Sequence, residues 1–413
     1  MTTTPAADPT FPRLHPRPGR GWLNDPNGVC KIDDRWHLFF QWNPESTRHE
    51  MIHWGHVSSA DLLTWQIEPV ALVPREGRPD SKGCWTGCVV DDAGTPTAVY
   101  SAVTDHSGRA DVLLARSDRR LQDWKQDDHA VLPMPDDPRF TDVRDPYVIE
   151  HGGHRWAVIG AGDHDGHPAV LSYRVDDLTD WVPAGTLLDH TDPVVGRLEP
   201  ANIWECPNLV QVGDRWVLII SYWSLDDGET KGHADVSYLV GDLDVTEDLQ
   251  LRFRPQATGS LDASTAFYAP QAIRDGDRTL LWGWVGERRD QDQFAAAGWA
   301  GCLTLPRELE LRGDLLVSRP AGELSALIGS EVAADTPITE PAFMIRHDQS
   351  GSLSLDGRQV ISWDGPGEIW VDASVIEAYP AGGVPYTGRA YPDHNSGWTV
   401  TGPATAYTLN LPQ

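Results

Sequence analysis

Three short segments each set a carboxylate at the entrance to a β-type hairpin. Asp25 stands in Trp22-Leu23-Asn24-Asp25-Pro26-Asn27-Gly28, Asp145 in Arg144-Asp145-Pro146, and Glu205 in Trp204-Glu205-Cys206-Pro207. Each acid lies 11 residues ahead of an Arg-Trp pair ending in Trp36, Trp156 or Trp216. Taken singly, Asn-Asp-Pro-Asn-Gly is a good turn sequence and nothing more. Taken in register, three acids that converge are costly, because like charges raise one another's pKa. Such clusters mark chemistry. Two carboxylates flanking a glycosidic bond can cleave it, one as nucleophile or base and the other as proton donor. Asp25 at a tight turn should accept backbone N–H groups, which favours the anion and a nucleophile. Glu205 between Trp204 and Cys206 has less polar neighbours, which favours a proton donor. Asp145 beside Arg144 should stay ionised and steady developing positive charge.

The elements that would position these acids repeat. Polar turns lead into strands at Asp34-Arg35-Trp36, His154-Arg155-Trp156 and Asp214-Arg215-Trp216, with weaker copies at Pro96-Thr97-Ala98 and Arg278-Thr279-Leu280. Five β-rich units about 60 residues apart fit four-stranded propeller blades. In the weaker copies the acid's slot holds Thr86, in Trp85-Thr86-Gly87, and Tyr268, in Phe267-Tyr268-Ala269. If the slot faces the axis, Asp25, Thr86, Asp145, Glu205 and Tyr268 meet at one mouth of the channel. Trp36, Trp156 and Trp216 are expected in the blade cores. Trp22, Trp85, Trp204 and Trp284 are expected at the sugar.

Composition excludes other classes. Of 413 residues, 33 are Lys or Arg and 61 Asp or Glu, a net charge of −28. That opposes nucleic acid and anionic membranes, whose recognition needs clustered cations. The 18 Trp are in keeping with a carbohydrate substrate. Five Cys (Cys30, Cys84, Cys88, Cys206, Cys302) at scattered spacing suggest no disulfide framework. With no basic and apolar leader at Met1, the expectation is cytoplasmic. His49-Glu50-Met51-Ile52-His53 matches a zinc-protease pattern, but that motif needs a helix, and Pro44 with Trp54-Gly55-His56 argues for a loop and a strand. No metal and no other cofactor is expected; His49 is placed on the pocket rim.

The three acid segments, in order and spacing, resemble the signature motifs of glycoside hydrolase family 32, the invertases, levanases and inulinases. Phe39-Phe40-Gln41-Trp42-Asn43-Pro44, Trp54-Gly55-His56, Phe267-Tyr268-Ala269-Pro270-Gln271 and Leu305-Pro306-Arg307-Glu308-Leu309 fit as well. The resemblance implies an all-β chain: a five-bladed β-propeller followed by a C-terminal β-sandwich. It implies retention of configuration without metal, with Asp25 as nucleophile, Asp145 as transition-state stabiliser and Glu205 as acid/base. It further implies that Asn24, Gln41, Thr86, Arg144 and Trp284 contact the terminal fructosyl unit, and that Asp262 lies near the leaving group.

The expected layout is a propeller over 1–305, a linker over 306–330 and a shortened sandwich over 331–413. A reduced sandwich leaves a sheet edge that would favour a homodimer. The expected substrate is sucrose or a short fructo-oligosaccharide. Fructosyl transfer, exo-hydrolysis of levan or inulin, and fructoside binding without turnover stay open as alternatives.

Overall fold

A computed structural model describes residues 8–105, 107–134, 137, 139–197, 201–226, 229–333 and 336–412. Five antiparallel four-stranded units account for most of the chain up to Pro320. Their innermost strands are Gly21–Ile32, Gly83–Asp92, Phe140–His151, Ile203–Val212 and Phe267–Asp275. Each packs against the next, and the fifth packs against the first, so the sheets close into a ring. This is the expected five-bladed propeller.

The recurring Arg-Trp and Arg-Thr segments open the second strand of their blades. Trp36 and Trp156 are buried between sheets, and Trp282 at 6.2 Å from Trp36 joins blades one and five. An indole of this kind removes about 150–250 Å² from water, worth roughly 4–6 kcal/mol at 25 cal/mol/Å².

Blade five departs from the expected layout. Arg307–Arg312 and Leu315–Pro320 are not linker; they are its outer strands, pairing back onto Arg278–Val285. An excursion hides this from the sequence. Between the second and third strands the chain forms the helix Gln291–Ala297, capped by Asp290 and ended by Gly298. It then lays Trp299–Ala300 in parallel beside Gly21 and Trp22 of blade one. Gly301 makes that approach feasible: its φ is +73°, and a Cβ there would sit 2.1 Å from the Leu23 carbonyl oxygen.

After Gly322–Leu327 the chain builds two further sheets, of six and three strands. Phe343, Ile345, Leu353, Ile369, Ile376 and Trp398 fill the space between them. The hairpin Gly367–Asp372 with Val375–Pro380 presents polar groups to the propeller. There the buried Arg307 holds Glu377 through Nε at 2.9 Å and Nη2 at 2.5 Å, and Asp262 through Nη1 at 2.9 Å. His15 bridges Asp372 at 2.8 Å and Glu377 at 2.9 Å. Burial alone would raise the Glu377 carboxyl, but Arg307 and His15 outweigh it and hold the group at about 2.

Candidate active site

All five innermost strands break register at the same level. The ladder skips two residues after Leu23, Cys84, Arg144, Glu205 and Tyr268. A bulge re-aims side chains, and here it turns them toward the axis. The bulged residues Asp145, Cys206 and Ala269 adopt φ of 68°, 48° and 45°. For residues with side chains that is a strained setting, of the kind that concentrates at functional sites.

The bulges sort the residues into two tiers, which corrects the single slot inferred from spacing. Arg144, Glu205 and Tyr268 are the last paired residues before the bulge and share one level. Asp145 and Cys206 are the first residues of their bulges and Asp25 and Thr86 the second of theirs, all farther from the mouth. Equal distance to the blade tryptophan does not resolve offsets of one or two residues at a bulge.

The hydrogen bonds follow the tiers. In the upper one, Arg144 gives Nε and Nη2 to Glu205 Oε1 at 3.0 and 2.7 Å. The Tyr268 hydroxyl donates to Glu205 Oε2 at 2.7 Å. In the lower one, Asp25 Oδ2 accepts from Thr86 Oγ1 at 2.7 Å and from Gln41 Nε2 at 3.1 Å; Oδ1 accepts from Asn24 Nδ2 at 3.1 Å. Side-chain amides and a hydroxyl thus hold Asp25. The Cys206 thiol lies 3.7 Å from Asp25 Oδ2 and 3.5 Å from Asp145 Oδ2, and its backbone N–H donates to the latter at 3.0 Å. Burial, then the three acids, push that thiol well above its ordinary range, so it is a neutral donor bridging two carboxylates.

Arg144 does not neutralise its neighbour as expected. Its side chain turns to Glu205 and to Asp142, whose Oδ1 it meets at 2.9 Å. Asp145 is pushed up to about 7, first by burial and then by the Glu205 charge, with Arg144 offsetting only part. Likewise Glu205 sits in an ionic setting, not the apolar one its chain neighbours suggested. Trp204 is in the core between blades three and four.

These groups open into a cavity of about 370 Å³, within the range of small-ligand sites. Asn24, Asp25, Gln41, His49, Trp85, Arg144, Asp145, Glu205 and Trp284 line it. Thr86 and Tyr268 stand behind the lining, on Asp25 and Glu205. His49 reaches Gln41 Oε1 through Nε2 at 3.0 Å and packs against Trp22 and Trp85. Its motif partner His53 is on a strand and bonds the Met51 carbonyl oxygen. Asp262 is not brought to the cavity: Arg307 and Thr387 hold it, fully buried, at the interface with the six-stranded sheet. Asp142 and Trp223 also line the cavity and were missed. Alternation along Asp142-Val143-Arg144 was a usable signal for the first, since residues two apart share a face.

Among the described residues, one group has metal-ligand spacing: Asp163, Asp165 and His167, on a hairpin turn outside the cavity lining. Asp163 accepts the backbone N–H groups of Asp165 and His167 there, as a turn-forming aspartate does.

Comparison with known proteins agrees with this architecture. The family model for the glycosyl hydrolases family 32 N-terminal domain matches residues 15–320. A sucrose-6-phosphate hydrolase of Salmonella typhimurium is 35% identical over 339 residues, covering 78% of this chain and 69% of its own. A raffinose invertase of Escherichia coli is 32% identical over 334 residues, covering 77% and 66%. A Bombyx mori GH32 beta-fructofuranosidase superposes with a TM-score of 0.81 at 26% identity, over 98% of this chain and 94% of that one. A Lactobacillus gasseri sucrose-6-phosphate hydrolase shares the fold with a TM-score of 0.83 at 22% identity, over 98% and 94%.

Proposed function

The chain belongs to glycoside hydrolase family 32 and is a glycoside hydrolase; from that premise we propose a retaining exo-β-fructofuranosidase that releases the terminal fructosyl unit of sucrose or a close derivative. One observation carries the reading: Asp25 and Glu205 converge on one small cavity from different blades, with Asp145 beside both. The cavity's size suits one sugar ring below and one nearer the mouth.

In this reading Asp25, in the deeper tier, attacks the anomeric carbon, while Glu205, nearer the mouth, gives its proton to the departing glycosidic oxygen. Water then enters, Glu205 takes a proton from it, and the Asp25–fructosyl ester is cleaved. Asn24, Gln41 and Thr86 hold Asp25 in line, and Trp22, Trp85 and Trp284 supply faces for the ring. Glu205 begins paired with Arg144. It takes a proton from solvent water as Arg144 turns to the sugar hydroxyls, and so becomes the donor. Asp145 accepts hydroxyl hydrogen bonds and stabilises the oxocarbenium-like transition state.

The test is fructose release from sucrose, 1-kestose, inulin and levan. Sucrose and kestose should yield fructose, and Asp25→Asn and Glu205→Gln should each lower kcat by about 10³-fold or more while the fold is kept. Turnover at the wild-type rate in either variant would refute the assignments.

A further inference from the structure

Asp142 has no task in that chemistry. It stands three residues before Asp145 and two before Arg144 on the same strand, nearer the mouth. Its side chain is 21% exposed and lines the cavity. Thr141 Oγ1 donates to its Oδ2 at 2.8 Å, and Arg144 Nη1 to its Oδ1 at 2.9 Å. Gly108 packs so closely that a Cβ there would lie 2.5 Å from Oδ1. The carboxylate is therefore held in place beside the space above Glu205, where a leaving group must sit.

The charge balance around it is one-sided. Among the described residues, four acids line the cavity, Asp25, Asp142, Asp145 and Glu205, and one guanidinium, that of Arg144. That guanidinium is already divided between Glu205 and Asp142. A neutral hexose can offer a hydroxyl to Asp142. A phosphomonoester carries about −1.5 to −2 charges at pH 7, and its oxygens are acceptors facing another acceptor.

We propose that Asp142 is a specificity-determining residue that admits neutral leaving sugars and turns away phosphorylated ones. The inference rests on the fructosidase reading and narrows its substrate class. It separates this chain from relatives named for sucrose 6-phosphate.

The experiment measures kcat/KM for sucrose and for sucrose phosphorylated on its glucose, in the wild-type enzyme and in Asp142→Asn. The wild type should favour sucrose by about tenfold or more. The variant should narrow that ratio by about tenfold, chiefly through a lower KM for the phosphate ester. Inhibition by glucose and by glucose 6-phosphate reads the same preference without turnover of a phosphate ester. A wild-type preference for the ester would overturn the proposal and turn attention to Arg48 and Arg109, exposed beside the lining residues His49 and Gly108. So would an unchanged ratio in the variant. Fructose from both sugars at equal rates refutes this inference alone; fructose from neither refutes the hydrolytic reading on which it stands.

Discussion

Replacing Asp145 with Asn should abolish turnover and stabilise the protein. The carboxyl ordinarily titrates at 3.8 and is held at about 7 in the folded chain. A folded state that keeps its proton to higher pH loses stability as pH rises from about 4 to about 7, and the loss is complete above that. The difference is about 3 pH units, or at most about 4 kcal/mol at 1.36 kcal/mol per unit. Asn is isosteric, does not ionise, and can still accept the Cys206 N–H. The gain should therefore be near zero below pH 4, grow through the interval, and level off above pH 7. Unfolding entropy of about 2.1 cal/mol/K per residue over 413 residues gives about 0.9 kcal/mol/K, so the full gain is about 4–5 °C in Tm. Calorimetry of both proteins at pH 4, 5.5, 7 and 8.5 would trace the curve. A variant less stable than the wild type at pH 8.5, or a difference that does not change with pH, would refute the reasoning. The expected result is a trade of stability for function.

Two further outcomes follow from the same hydrogen bonds. Tyr268→Phe removes a donor from the Glu205 carboxylate, so Glu205 should keep its proton to higher pH, and the alkaline limb of the kcat profile should move up by about one pH unit or more; a limb that stays in place would count against Glu205 as the proton donor. Arg307→Met strands Asp262 and Glu377 without their buried cation, which should cost about 3–5 kcal/mol and lower Tm by several degrees; thermal unfolding indistinguishable from the wild type would contradict the interface described above.

How far the sequence carried depended on which property was read. Blade periodicity was legible because Arg35-Trp36, Arg155-Trp156 and Arg215-Trp216 open equivalent strands. The three acids were legible for the same reason. What escaped were features that a linear count does not hold. The bulge places Glu205 level with Arg144 and Tyr268, and Asp145 a step deeper, although the spacing to the tryptophans is identical. Arg144 adjoins Asp145 in the chain but reaches Glu205 on the next blade, since consecutive residues on a strand point apart. Asp262 looked like a leaving-group contact, yet its partner Arg307 comes from a strand 45 residues later. The outer strands of blade five read as a linker in the sequence because the helix Gln291–Ala297 interrupts the hairpin rhythm. Trp204 shows the opposite error: adjacency to Glu205 suggested sugar contact, whereas its own side chain points into the core.

The closure of the ring orders events during synthesis. Gly21 and Trp22 pair with residues 299 and 300, so the two halves of that seam leave the ribosome far apart in time. His15 waits longer still, for Asp372 and Glu377. Chain closures of such span are slow and come after local hairpins have formed. Blades two to four can assemble as they emerge, while blade one, which carries Asp25, keeps an open edge until the seam arrives. A nascent chain thus carries Asp25 for nearly three hundred residues before the seam that closes the ring around it has been made.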